Sequence, residues 1–227
     1  MNKEKHIKKI LDASRKYNIG HIPSALSLAK ITRMLWSYQN IEDFPIIIGK
    51  SFGVQAWFID DSVQESFIDD FVLYGRKIIS PKDFSRSKFN VVYSQSQLGL
   101  ASGFSAGYAI GNPDLKKAIC ILSDADCFLE STLYGIEFSF QNSLPISFIV
   151  DANNIQLFGS KNCRMLFDNF GYSEQNDILR LTSDIPEVIV VPTIKGDGCP
   201  LFEKNPKDWH YRIPDKDEWD MIHEEIS

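Results

Sequence analysis

Ala118-Ile119-Cys120-Ile121-Leu122-Ser123-Asp124-Ala125-Asp126 and Ile146-Ser147-Phe148-Ile149-Val150-Asp151-Ala152-Asn153-Asn154-Ile155 share one design: an apolar run of strand length that ends in small and polar residues. The segment between them has room for one helix, near 129–141, and its loops. An apolar run without alternation suits a strand buried on both faces, and two such strands joined by a helix are parallel neighbours. Parallel strands bring both polar ends to one sheet edge, which is where open α/β sheets bind ligands.

The same grammar extends in both directions. Ile7, Ile10 and Leu11 predict a helix over 3–17, broken by Gly20-His21-Ile22-Pro23. Ser24 is the expected cap of a second helix carrying Leu26, Leu28, Ile31 and Leu35. Phe44-Pro45-Ile46-Ile47-Ile48 and Val91-Val92-Tyr93 read as strands. Residues 54–73 read as a helix polar on one side, and 76–90 as an exposed charged loop. From Gly99 to Ile110 the chain is rich in Gly and Ala, a poor helix in isolation that makes sense only when packed tightly. Val188-Ile189-Val190-Val191-Pro192-Thr193 is a last strand, and a final helix is expected near 215–226. Strands alternating with helices predict an α/β fold, a parallel sheet with helices on both faces. Residues 1–227 are expected to form a single domain.

Composition narrows the function. The 227 residues are 44% hydrophobic and 24% charged, with a net charge of −6, so no basic face is expected for nucleic acid or an anionic membrane. No run approaches the roughly 20 apolar residues of a membrane span, and no signal peptide opens the chain. Cys120, Cys127, Cys163 and Cys199 lack CxxC spacing and read as reduced thiols, which suits the cytoplasm. Cys127 has no His neighbour in sequence and reads as structural. His6 and His223 lie in terminal helices and are expected at the surface.

The two strand ends form a candidate metal site. Asp124, Asn153 and the carbonyl of Ile155 would give a hard, all-oxygen set of the kind that holds Mg²⁺ against a phosphate. The small neighbours Ser123 and Ala125 would let a diphosphate approach the backbone. The competing reading makes Asp124 and Asn153 helix caps or turn formers.

At this point the chain resembles the N-terminal, thiamine-diphosphate-binding domain of transketolases, particularly the split type with separate subunits. The matches run in order: Gly20-His21-Ile22-Pro23-Ser24, Ile48-Gly49-Lys50-Ser51-Phe52-Gly53, Ser94-Gln95-Ser96-Gln97-Leu98-Gly99, Ser123-Asp124-Ala125 through Glu130, Asp151-Ala152-Asn153-Asn154-Ile155-Gln156, and Thr193-Ile194-Lys195-Gly196-Asp197-Gly198 followed by Trp209-His210. The resemblance implies a thiamine-diphosphate-binding fold with thiamine diphosphate and Mg²⁺ as cofactors. Asp124, Asn153 and Ile155 would hold the metal. Ser96, Leu98, Gly99, Ser123, Ala125 and Glu130 would line the cofactor site, with Glu130 near the subunit interface. His21 and His210 would be catalytic.

It also implies a transferase that moves a two-carbon ketol unit between sugars. The glutamate-bearing pyrimidine-binding domain and the C-terminal domain are absent from this sequence, so the resemblance implies a separate partner subunit in a heterotetramer of two plus two chains. Alone, the chain would hold the diphosphate half of the cofactor without turnover. Departures from the pattern leave other readings open. Gly-Asp-Gly has become Ser123-Asp124-Ala125, and the spacing from Asp124 to Glu130 is one residue longer than usual, making Asp126 a rival ligand. Phe52 replaces a histidine, another expected histidine is missing from 76–90, and the stretch from Phe158 to Val188 is short. These changes suit a 2-oxo-acid decarboxylase or carboligase subunit, or a catalytically silent assembly subunit. Lys195 is a further phosphate-contact candidate.

Overall fold

The computed structural model describes residues 2–50, 52–68, 79–156, 161–182 and 184–226. In chain order the helices and strands are α1 (Lys3–Tyr17), α2 (Ile22–Ser37), β1 (Ile46–Ile48), α3 (Asp61–Ile68), β2 (Val91–Ser94), α4 (Ala101–Gly111), β3 (Ala118–Ser123), α5 (Asp124–Cys127), α6 (Glu130–Gln141), β4 (Ile146–Ala152), β5 (Ser173–Glu174), β6 (Glu187–Pro192), α7 (Pro200–Lys204) and α8 (Lys216–Glu225). The strands form one sheet in the order β2-β1-β3-β4-β6-β5, with every pairing parallel. β3 and β4 are neighbours in register, with Ser123 opposite Asp151, so the two polar strand ends share one edge.

Alternation within the strands divides the core into two layers. Ile46, Ile48, Ile119, Ile121, Ile149, Ile189 and Val191 point to a layer completed by α1, α2 and α8. Ile47, Cys120, Leu122, Phe148, Val150, Val188 and Val190 point the other way, to the layer that contains Ala101 of α4 and Ile136 of α6. Both faces are therefore covered, which is why these runs are almost wholly apolar between their ends; the one hydroxyl inside β4, Ser147, is buried and donates to Glu187 at 2.5 Å. Among the described residues no helix is long and apolar enough to cross a membrane.

The small residues of α4 divide by face. Ala101, Ser102, Ser105, Ala106 and Ala109 are buried, whereas a Cβ on Gly103 or Gly107 would meet nothing within 4 Å. The tight crossing with α6 is made at Gly135 instead, where a Cβ would overlap Ser102 Oγ and lie 2.7 Å from the Gly103 nitrogen.

Several expectations are corrected. α2 begins at Ile22, with His21 as its cap and Pro23 in its first turn, so Ser24 is helical. Pro lacks the amide hydrogen that a first-turn residue leaves unused, so Gly20-His21-Ile22-Pro23 starts a helix as well as ending one. The described part of 54–73 is a buried 3-10 stretch, Val54–Ile59, followed by α3; residues 69–78 lie outside the described residues. The described part of 76–90 is not simply exposed, because Phe84 and Phe89 pack edge-on against the buried Trp57. His6 is fully buried, its Nε2 donating to the Ala56 carbonyl at 3.0 Å. Phe158 lies outside the described residues.

Candidate functional site

The candidate site is built on the strand ends and the start of α2. Ser27, on the second turn of α2, donates to both oxygens of Asp151 at 2.6 and 2.8 Å. Thr193, just past β6, and Lys50, just past β1, donate to the same carboxylate. Asn153 Nδ2 donates to Ser27 Oγ at 3.0 Å. The Gly196 amide donates to the Pro23 carbonyl at 3.0 Å, tying the loop after β6 to the first turn of α2. Three other chain segments thus converge on the buried carboxylate of β4.

The charges there are closely coupled. Burial pushes the Asp151 carboxyl up, but Lys50 and the hydroxyls of Ser27 and Thr193 outweigh it and hold the group below its ordinary range. Asp124 goes the other way: burial and the neighbouring Asp151 raise it, against the pull of Lys50 and Lys195. Among the described residues, Asp124 Oδ2 is buried without a hydrogen-bond partner. Lys195 is buried, and its pKa falls to about 8, chiefly through desolvation and the nearby Lys50. Its Nζ donates to the Ile155 carbonyl at 3.0 Å.

The rival carboxylate is committed elsewhere. Asp126 accepts from the Ser123 amide at 2.9 Å, from Ser123 Oγ at 2.6 Å and from the Gly99 amide at 2.9 Å. Ser123 Oγ accepts in return from the Asp126 amide, closing a capping box at the start of α5. The Ser-x-x-Asp spacing carried that signal in the sequence. Asp126 therefore organises the loop, and Asp124 keeps an oxygen available.

Of the residues singled out from sequence, Asp124, Asn153 and Ile155 fall at the shared edge. Asn153 Oδ1 accepts from the Ile155 amide at 3.0 Å, so the turn-former reading of Asn153 also holds. Ser123 caps α5, and Ala125 is half-buried beside it. Gly99 has φ +90, and a Cβ there would overlap Ser131 Oγ, so this turn requires glycine. Ser96 and Leu98 lie exposed in the loop before α4, and Glu130 is exposed at the start of α6. Cys127 is buried, donates to the Ser123 carbonyl and is pushed up by burial, which suits a structural thiol. Asp197 pairs with Lys3.

His21 and His210 come together, with ring centroids 5.3 Å apart. His21 adopts φ +56, unusual for a residue with a side chain, and its ring stacks on Phe52 at 4.7 Å. Tyr211 stands edge-on to both imidazoles, at 5.2 Å from His21 and 4.5 Å from His210. The sequence reading assigned no role to Ser27, Lys50 or Asp151. Lys50 and Asp151 sat inside quoted motifs, while an isolated Ser27 carried no signal.

No family model and no curated protein matches the sequence. Solved structures do match in fold. Transketolase from Campylobacter jejuni superposes with a TM-score of 0.66 at 15% identity, over 92% of this chain and 40% of that one. Transketolase from Leishmania mexicana gives 0.61 at 14% identity, over 100% of this chain and 44% of that one. The fold is transketolase-like, and the chain spans well under half of either enzyme.

Proposed function

We propose that this chain binds thiamine diphosphate with Mg²⁺ at the shared strand edge and is the diphosphate-side subunit of a transketolase-like enzyme. In that reading it moves a two-carbon unit, a ketol group when the donor is a sugar, from a carbonyl donor to an aldehyde acceptor. The observation that carries the reading is Asp124 Oδ2, a buried carboxylate oxygen without a partner among the described residues, at the edge where the segments of Ser27, Lys50 and Thr193 meet Asp151. A carboxylate pushed up by burial and by a second acid is stabilised by an added cation. The donor set fits a hard dication: Asp124, Asn153 and the Ile155 carbonyl offer oxygens only. For the carbonyl to serve, Lys195 must release it, and an ammonium freed beside a diphosphate is well placed to pair with it.

When bound, the cofactor supplies the electron sink for carbon–carbon cleavage, and the protein supplies orientation and electrostatics. Lys50 and Lys195 bring positive charge to the anion. Asp126, through the Gly99 amide, fixes the loop before α4 that would lie along the cofactor. In this reading His21 and His210, whose rings lie 5.3 Å apart, would supply hydrogen bonds and proton transfer to a donor's oxygens. The reading includes a separate partner subunit carrying the pyrimidine-binding domain, in a two-plus-two assembly in the cytoplasm.

The test is thermal unfolding of the chain with thiamine diphosphate and Mg²⁺, with and without chelator. At a cofactor concentration about 100 times Kd, binding stabilises by about 2.7 kcal/mol. For a chain of this length that raises Tm by about 5–10 °C. Chelator or Asp124→Ala should erase the shift. A shift that survives both would remove Asp124 and the metal from the reading, and no shift at any concentration would end it.

A further inference from the structure

Beside the charged strand edge stands a cluster of four rings. His21, Phe52, His210 and Tyr211 lie within 4.5–5.3 Å of one another in the centroid pairs that link them. His21 caps α2 six residues before Ser27, about 9 Å along the helix axis, and Phe52 follows Lys50 by two residues, so two of the segments that donate to Asp151 also supply rings to the cluster. The cluster is open on one side: Tyr211 is 50% exposed and Phe52 is half-buried.

We propose that the donor received beside His21 is a 2-oxo acid with a short apolar chain, which would give its acyl unit to the aldehyde acceptor with loss of its carboxylate as carbon dioxide and uptake of one proton, and that Phe52 is the residue that sets this choice. The proposal rests on the cofactor reading above and names its substrate class. One face of the His21 imidazole is covered by the Phe52 ring, nearly parallel to it at 12°. The backbone of His21 holds it there, because the αL cap and the Gly196–Pro23 hydrogen bond fix the start of α2. A phenyl ring neither donates nor accepts hydrogen bonds. A ketose hydroxyl buried against it is desolvated without a partner, at a cost of about tenfold or more in affinity. A methyl or methylene in the same place gains from leaving water.

The test follows the imidazole carbon–proton NMR signals of the full chain, with thiamine diphosphate and Mg²⁺ present. Pyruvate and erythrulose are titrated separately, after a calorimetric titration of the cofactor on the same sample. The expected result is that pyruvate shifts the His21 and His210 signals with an affinity at least tenfold above that of erythrulose. Phe52→His should cut or reverse that ratio by tenfold or more, while Phe52→Leu, which stays apolar, should keep it. Leu also guards against a His variant that fails to fold. Equal or stronger binding of erythrulose, no response to either probe, or a ratio unmoved by Phe52→His in a folded protein would overturn the proposal. Cofactor heat that is absent while pyruvate still binds as expected would instead sink the cofactor reading and leave the ring site standing.

Discussion

His6 offers a sharp test of the physical account. The imidazole is fully buried between α1 and α2. Its Nε2 donates to the Ala56 carbonyl at 3.0 Å, while Nδ1 faces the Arg33 guanidinium at 3.4 Å. With Nε2 carrying the proton, Nδ1 must accept from Arg33, so the neutral ring satisfies both neighbours. A second proton would stand against the guanidinium in a site buried from solvent. Burial, then Arg33 and Lys9, brings the pKa from 6.5 down to about 3. The folded value lies below the unfolded one, so this stability is full above pH 6.5 and is lost as the pH falls toward 3. The whole gap corresponds to about 5 kcal/mol, of which about 2 kcal/mol is gone by pH 5. His6→Gln keeps a donor for Ala56 and cannot titrate in this range. Urea unfolding at pH 7.5 and pH 5 should show the native chain losing about 2 kcal/mol more than the variant between the two conditions. Carboxylates that titrate in both proteins cancel in that difference. Parallel losses would refute the reasoning and mean that His6 is hydrated or already charged in the folded state.

The two aspartates of the α5 loop should separate by experiment. Asp126→Asn disrupts a carboxylate that accepts from two amides and a hydroxyl, and should cost about 2–4 kcal/mol in urea unfolding without cofactor. Asp124→Asn removes a strained charge and should change unloaded stability by less than about 1 kcal/mol, while abolishing the Mg²⁺-dependent rise in Tm. Lys50→Met leaves the Asp151 carboxylate buried without its cation, and should cost about 3–5 kcal/mol; adding Asp151→Asn should recover part of that loss. Gly135→Ala forces α4 and α6 apart at their crossing, and should cost about 1–3 kcal/mol by thermal or urea unfolding.

What could be read in the sequence was whatever repeats with a short period or sits within a few residues. The buried strands, the helices between them and the shared polar edge follow from apolar run length and alternation. The Asp215 cap of α8 and the Ser123–Asp126 box are likewise local patterns. The floor of the site was not legible, because its contacts have no period. Ser27 meets Asp151 across 124 positions of sequence and Lys50 meets it across 101. The closing of α2 onto the end of β4 brings Ser27 there, and the β1-β3-β4 pairing of the sheet brings Lys50. His6 was misread for a related reason. Its helix face looked polar because a histidine was counted as a surface residue, yet the Ala56 carbonyl and Arg33 supply the two partners that let it be buried neutral.

The ring cluster shows both sides of this limit. Phe52 stood out in the sequence as a residue of the wrong polarity beside a lysine, but nothing local said what it would touch. The fold answers by turning α2 at His21 and bringing the turn after α7 alongside, so that a phenyl ring lies flat on the imidazole. The charged floor and the aromatic wall then belong to one edge but ask different things of a ligand. In the proposed reading, Lys50, Lys195 and Asp124 Oδ2 serve a diphosphate and its dication, whatever the reaction. The rings discriminate among donors. A fold shared with transketolases can therefore keep the cofactor half of the site while the donor half moves toward less hydroxylated substrates. On that account, substitutions on the floor should act on cofactor binding and stability, and substitutions at Phe52 on the choice between donors alone.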